Sequence, residues 1–559
     1  VGVLSRRDVD VALRHGLGSA QVVTCMSAPV RAIAPLLSIA EAHQLMVTYD
    51  IGRLPVVSSD TGSAQLIGII TRSDLLRQLP LTRRSAALTA LPNSNQLFQQ
   101  FKLRSDLLWP VIEQLIAAAE DRGWNLYVVG GAVRDLLLGY LGRSQPLVDI
   151  DLVVDGAQTG AGAILATSVQ SACPQLELSV YGEFQTAALT WLPPAIERNQ
   201  DCFSVSSQVS PRLSSSPLEI DIATARTEVY PYPAANPEVE ASTIHQDLYR
   251  RDFTINAMAL RLTGIGHEGM ERGQLLDFFG GWQNLQQRHI RVIHPNSFIE
   301  DPTRIFRAVR FATRLGFDLD PYTQHLVGYA VRSPLYSRVK VQHQKVPALQ
   351  SRLSAELEKI LSADYWLKSI EMLGQLGALS CLHPELKMTD ELLLQLCRMA
   401  KWQYRFLPNV LRWRLLLVLL LAQLPPDEGA QVAKTLHLDT QSQHQIENLH
   451  QWERSLSAQL ATASKPSEIF QCLDSYSRVE QLLIVSRNPY TLGPQIWHHI
   501  VHLSRMSPLI NGATLKRLGY PPGPNYREIL TVVHQLTLDG VLDSAASAES
   551  YVMAHYPLH

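Results

Sequence analysis

Tyr127-Val128-Val129-Gly130-Gly131-Ala132-Val133-Arg134-Asp135, followed by Val148-Asp149-Ile150-Asp151-Leu152-Val153-Val154, is the stretch whose reading decides the fold. The first run reads as an apolar strand that ends in a glycine pair, with a helix beginning at once. Glycines at such a junction let a phosphate approach the backbone and the exposed amides of the helix start. Arg134, one turn in, is placed to reach the same phosphate with two parallel N–H groups. In the second run, period-two strand geometry turns Asp149 and Asp151 to one face and Ile150 and Leu152 to the core. Two hard oxygen ligands side by side suit Mg²⁺, which binds few protein carboxylates and keeps room for phosphates. Two such ions can activate a hydroxyl and stabilise a leaving pyrophosphate. The competing reading is an exposed strand edge with two solvated acids, and the glycine pair upstream argues against it.

Two further segments extend the pattern. Arg250-Arg251-Asp252-Phe253-Thr254-Ile255-Asn256 sets an arginine pair, an aspartate and an asparagine on one semi-apolar segment. Arg251 can hold a triphosphate or ribose, with Asp252 orienting that arginine or the sugar; a surface ion pair is the alternative. In Glu300-Asp301-Pro302-Thr303-Arg304-Ile305-Phe306-Arg307-Ala308-Val309-Arg310-Phe311, Pro302 fits a first helical turn and Asp301 its cap. Ile305, Ala308, Val309 and Ala312 form the core stripe. Asp301 and Arg304 are neighbours on another face, with Arg307 and Arg310 further round. Aspartate only accepts hydrogen bonds and arginine only donates them. Such a pair matches the amino group and ring nitrogen acceptor of cytosine or adenine, and repels the reversed pattern of uracil and guanine. Capping plus a solvated basic face is the competing account.

The rest of the chain supplies the setting. Its 559 residues predict three or four domains. A composition of 46% hydrophobic and 18% charged residues excludes a collagen-like or largely disordered protein. The net charge of −2 leaves no global basic field, so any RNA must be met by local patches. Cys25, Cys173, Cys202, Cys381, Cys397 and Cys472 are scattered and form no C-x-x-C pair, which reads as buried free thiols in a reducing compartment. The longest apolar run, Leu415 to Ala422, is far short of a membrane span of about 20 residues. The expected location is the cytoplasm, with no membrane partner. Val1 opens within a strand-like pattern, so the chain reads as part of a longer protein. Residues 194–217 are rich in serine and proline and read as a disordered insertion. From Pro302 onward the pattern is helical, with leucine-rich stripes at 353–378, 390–424, 431–460, 467–486 and 526–542.

The first 80 residues repeat a motif: a short apolar strand, a hydroxyl residue, and an aspartate three positions on, at Ser5/Asp8 and again at Thr71/Asp74. Ser38 to Glu41 reads as a capping box and Arg53 to Val57 as a strand. This resembles a CBS domain pair with a truncated first copy. Such pairs often bind adenine nucleotides, and Thr71 and Asp74 match the ribose-contacting pattern; plain capping in a packing module is the alternative.

As a set, G-G-A-V-R-D with D-I-D, D-I-A-T-A-R-T-E from Asp221 to Glu228, R-R-D-F-T-I-N-A, and E-D-P-T-R with R-A-V-R-F resemble the class II CCA-adding enzyme and bacterial poly(A) polymerase family. Arg352 to Leu357 is similar to that family's fifth motif. The resemblance covers about residues 100–365. It implies a multi-domain chain: an α/β CBS module, a mixed α/β nucleotidyltransferase head, and an all-helical neck, body and tail. The expected divisions are 1–80 for the CBS segment, 81–103 for an irregular linker, 104–265 for the catalytic head, 266–365 for the neck with its base-reading helix, and 366–559 for the tRNA-binding body and tail. It implies that Gly131, Arg134, Arg251, Asp301, Arg304, Arg307 and Arg310 contact the incoming nucleotide, and that Asp149 and Asp151 bind Mg²⁺ and carry catalysis. Gly130, Asp252 and Asn256 join the nucleotide-binding set from the segments in which they stand. The implied activity is untemplated transfer from CTP or ATP to the tRNA 3′ end. Family members that build the whole CCA end often carry a basic loop element before R-R-D. Residues 230–237 read Y-P-Y-P-A-A-N-P, with no Arg or Lys. That shortage leans toward CC addition, with full CCA addition, A addition and poly(A) synthesis as alternatives. Outside these stand an inactive CBS nucleotide sensor, which loss of an Asp from D-x-D would mark, and a transferase acting on a protein or an antibiotic. The latter would not need the R-R-D and E-D-x-x-R segments.

Overall fold

The computed structural model describes residues 2–4, 19–26, 28, 30–38, 41–42, 45–46, 53–58, 65–71, 90–143, 147, 150–156, 158–182, 186–191, 218–229, 238–264, 271–332 and 347–557. Ser5, Asp8, Asp74, Asp149, the 194–217 segment and residues 230–237 lie outside them. The chain divides into two compact units, Val1–Leu349 and Gln350–His559.

In the first unit, β1 (Arg53–Ser58) and β2 (Gln65–Thr71) pair antiparallel. Ile33, Ala42, Met46 and Leu54 form a small core beside them. The capping box is present: the Ser38 amide donates to Glu41 Oε2 at 3.0 Å, and the Glu41 amide to Ser38 Oγ at 3.2 Å. Thr71 closes β2, half-buried.

The irregular reading of 81–103 fails at its C-terminal end. Ser94–Arg104 forms α1, opened by the Asn93 side chain, which accepts from the Asn95 amide at 2.9 Å. Only Leu97 and Phe101 are buried on it. A two-residue stripe at i, i+4 among Gln, Asn and Lys is too thin a signal to stand out, and burial of those two side chains is what holds the helix down.

A mixed seven-stranded sheet follows, built from β3 (Asn125–Val129), β4 (Ile150–Asp155), β5 (Leu176–Tyr181), β6 (Thr186–Trp191), β7 (Leu218–Thr224), β10 (Ala259–Arg261) and β11 (Leu275–Leu276). Their order is β11-β10-β3-β4-β7-β6-β5, and only β4 and β7 run parallel. A separate hairpin joins β8 (Arg226–Val229) to β9 (Glu238–Ala241). Helices α2 (Trp109–Glu120) and α4 (Ala161–Ala172) pack together on the sheet. Helix α5 (Ile244–Tyr249) covers the other side through Ile244 and Leu248, which join Tyr127, Val129, Val153 and Ala259 in one apolar cluster. Because both faces are covered, β3 and β4 read as near-continuous apolar runs. Helix α3 (Gly131–Tyr140) springs directly from β3 through Gly130. Beyond the sheet, α6 (Gly281–Gln287) and the short α7 (Ser297–Glu300) lead to α8 (Thr303–Leu315) and α9 (Pro321–Arg332).

The second unit is helical, as the leucine stripes predict. The 390–424 stripe is two helices, α10 (Asp390–Phe406) and α11 (Arg412–Leu421), separated where Pro408 cannot continue a helix. Leu415 to Leu421 are all buried, so the longest apolar run is a core helix. Among the described residues no helix is long and apolar enough to cross a membrane. Cys173, Cys381, Cys397 and Cys472 form no disulfide; Cys173 is buried as predicted, and the other three are half-buried on helices or turns of this second unit.

Candidate active site

The glycine pair does what its position requires. Gly130 has φ +70° and turns the chain from β3 into α3. A Cβ there would stand 2.8 Å from Arg251 Nη1 and 3.4 Å from Asp151 Oδ2, so the bare backbone is what admits both side chains. On β4, Ile150 and Leu152 are buried and Asp151 is half-buried on the opposite face. Asp151 lies in register with Asp221 of β7 across the parallel pair. Directly opposed residues of adjacent strands share a face, so the two carboxylates stand side by side. Asp149 lies outside the described residues. Asp221 is an acid that local spacing does not reveal as part of the site: its signal is its place in D-I-A, three strands on from β4 in sequence order.

The arginine pair is held from below. Asp247, fully buried, accepts from Arg250 Nη2 at 2.7 Å and from Arg251 Nη2 at 3.0 Å. Burial alone would raise the Asp247 carboxyl, but Arg251 and Arg250 hold it below its ordinary value. Arg250 also donates to Glu228 at 2.8 Å, which commits it to structure. Arg251 is left pointing at the glycine turn. Asp247 stands three and four residues before the two arginines, and that spacing on a helix was the available signal.

A chain of charged hydrogen bonds joins the three sequence motifs. Arg134 is 3% exposed and donates through Nε and Nη2 to Asp135, at 2.8 and 2.9 Å. Its Nη1 donates to Asn256 Oδ1 at 2.8 Å. Asn256 passes the contact on, donating from Nδ2 to Asp252 Oδ1 at 3.2 Å. Asp252 Oδ2 accepts from Arg307 Nε and Nη2 at 2.8 and 2.6 Å. Burial works to raise the Asp252 carboxyl, and Arg307 with Asn256 overrides it and keeps it below the usual range. Arg134 was expected to offer its fork to a phosphate; three of its N–H groups are instead turned to protein partners. The buried Phe311 ring ends the network, with the guanidinium carbons of Arg134, Arg307 and Arg310 at 5.4, 5.6 and 4.6 Å from its centroid.

At the start of α8, Asp301 caps as predicted: the Thr303 amide and hydroxyl donate to its Oδ1 at 3.0 and 2.6 Å. Arg304 is 6% exposed; Nη1 donates to Ser297 Oγ at 2.9 Å and Nη2 to the Arg250 carbonyl at 3.0 Å. Beside them Glu300 is pushed by burial up to about 7, against the pull of Arg304 and with Asp301 adding to the rise. His294 Nε2 lies 3.5 Å from Glu300 Oε2, and burial with Arg304 drives the imidazole down to about 3, so it is neutral.

A sheet carrying adjacent acids beside a glycine turn, with an arginine on the same face, defines a nucleotidyltransferase head. Residues 126–291 match the poly A polymerase head domain, 20–81 the CBS domain, and 347–389 the probable RNA and SrmB-binding site of polymerase A. The chain thus carries a poly A polymerase head domain with a CBS segment ahead of it, and it is similar to tRNA nucleotidyltransferases. It is 30% identical over 562 residues to an A-adding tRNA nucleotidyltransferase of Geobacter sulfurreducens, covering 96% of this chain and 58% of that protein. It is 36% identical over 208 residues to a CC-adding tRNA nucleotidyltransferase of Deinococcus radiodurans, covering 35% of this chain and 46% of that one. The chain thus spans about half the length of these curated relatives. The Thermotoga maritima CCA-adding enzyme complexed with tRNA superposes with TM-score 0.61 at 28% identity, covering 83% of this chain and 98% of that chain.

Proposed function

We propose that the chain transfers a nucleotide from CTP or ATP to the 3′ end of tRNA without a template. The observation that carries this is the meeting of Asp151, Asp221, Gly130 and Arg251 on one face of the head. The donor set fits Mg²⁺: Asp151 and Asp221 are adjacent hard oxygen ligands, and Asp149 stands two residues before Asp151 in the sequence. When bound, the ion supplies charge at the reacting phosphate. The protein's own part is positioning. The first amides of α3 and the Arg251 guanidinium meet the triphosphate. Arg134, Asn256 and Asp252 hold Arg307 in place. Asp301, an acceptor, and Arg304, a donor, present the pattern that matches the edge of cytosine or adenine. The body and tail beyond residue 366 serve as the tRNA platform, and Thr71 with Asp74 as an adenine-nucleotide site in the CBS segment.

The finer assignment turns on residues 230–237. A loop without a cationic side chain suits a pocket that does not change base during the reaction, and hence an enzyme of one nucleotide. CC addition is one such outcome. Addition of a single terminal A is the other, and it is favoured by the Geobacter sulfurreducens relative, whose similarity runs through the CBS segment as well as the head. Both aspartates of D-x-D stand in the sequence, so an inactive sensor is not proposed, and the similarity to tRNA nucleotidyltransferases speaks against poly(A) synthesis. The deciding experiment offers labelled CTP or ATP with tRNA ending at the discriminator base, at C and at CC. AMP incorporation confined to tRNA-CC establishes A addition, and CMP incorporation that stops at CC establishes CC addition. Both activities together would overturn the single-nucleotide reading, and neither would overturn the function.

A further inference from the structure

A run of aromatic rings beside the site, His245, Tyr249, Phe278 and the half-buried Phe279, packed at one end on the buried His294, has no role in the reading above. His245 and Tyr249 stand one turn apart on the exposed side of α5, whose buried side holds Asp247. The His245 ring lies 4.8 Å from Phe278 and 5.7 Å from Phe279, and Tyr249 lies 5.9 Å from Phe279. On its other side Tyr249 stacks on His294, 5.2 Å away at 29°. Phe278 and Tyr249 are large apolar rings left 47% and 44% exposed. Mutual packing fixes the rings while leaving faces open.

The stripe leads into the site. The two residues after Tyr249 are Arg250, whose carbonyl accepts from Arg304, and Arg251, which faces the glycine turn. Three carboxylates stand alongside it: Asp247 is held by two arginines, Asp277 by the Gly281 and Trp282 amides at 2.7 and 2.9 Å, and Glu300, beside His294, is pushed by burial up to about 7. Their combined repulsion toward a polyanion is thereby reduced.

We propose that this stripe stacks the unpaired 3′-terminal bases of the tRNA acceptor and delivers the last ribose to the acids of β4 and β7. The proposal rests on the tRNA reading above. Aromatic platforms bind single strands because every base presents a π face. A strand that must accept successive residues needs such sequence-tolerant support.

The test titrates the full chain into tRNA carrying 2-aminopurine as its 3′-terminal base. Stacking should quench the fluorescence. Phe278→Leu and Tyr249→Leu keep apolar volume but lose the π face; each should weaken tRNA binding by about tenfold and remove the quench, with KM for the nucleotide unchanged. Phe278→Tyr should restore both. Leucine variants that bind and quench like the unaltered protein would overturn the stripe, as would a Phe278→Tyr variant that fails like the leucine one. Quenching is read without turnover. An unaltered protein that quenches but transfers nothing would count against the proposed function, not against the stripe.

Discussion

Replacing Asn256 by alanine removes the link between the start of α3 and the base-reading helix α8. Asn256 is 7% exposed, accepts from Arg134 at 2.8 Å and donates to Asp252 at 3.2 Å. A hydrogen bond to a charged partner contributes about 1.5–3 kcal/mol, and water cannot replace one at this depth. Both partners keep other contacts, Arg134 with Asp135 and Asp252 with Arg307. The lower end of the range therefore applies to each, and the loss should total about 3 kcal/mol. Urea denaturation of the full chain measures it, and hydrogen exchange at the amides of α3 and α8 assigns it to the head. Arg307 loses a fixed Asp252 to rest on, so KM for the nucleotide should rise roughly tenfold. A loss below about 0.5 kcal/mol, the range of an ordinary surface substitution, with KM unchanged would refute the idea that these bonds form one working chain.

Four other substitutions follow from the same geometry. Asp151→Ala should abolish nucleotide transfer without lowering the melting temperature, since it relieves repulsion with Asp221; Asp221→Ala should cost at least about tenfold in rate, and near-normal transfer at saturating Mg²⁺ in either variant would remove the acid pair from the mechanism. Gly130→Ala forces a side chain into φ +70° with its Cβ 2.8 Å from Arg251 Nη1, and should lose about 1–2 kcal/mol in denaturant together with most activity. Glu300 has a folded-state value of about 7 against an ordinary 4.5, so its contribution is present below pH 4.5 and is lost as pH rises through 7; Glu300→Gln should grow more stable relative to the unaltered chain across that window, and parallel stability curves would contradict the burial argument.

What the sequence discloses and what it hides follow from how far each signal reaches along the chain. Gly130, the start of α3, the buried Ile150 and Leu152, and the Asp301 cap are set by neighbours within one turn or one strand period, and they stand as predicted. One partner of Arg134, Asn256, is 122 residues away, and no local pattern shows that the arginine is buried between it and Asp135. Asp221 joins Asp151 only through inter-strand register, which no local period records. Helix α1 was lost for the opposite reason, because its polar residues dominate a two-residue apolar stripe.

The single parallel pairing in the sheet also has consequences for how the site comes into being. Strand β7 lies between β4 and β6, so until it is made β4 has a free edge and its acid has no neighbour. A nascent chain carrying the glycine turn and the first acids is therefore chemically mute, and competence arrives abruptly when β7 docks. The connection that must close first includes residues 192–217. Closure entropy grows only with the logarithm of length, about 0.6 kcal/mol for each doubling, so that segment can lengthen or shrink widely among descendants of this sequence while Asp151 and Asp221 stay in step.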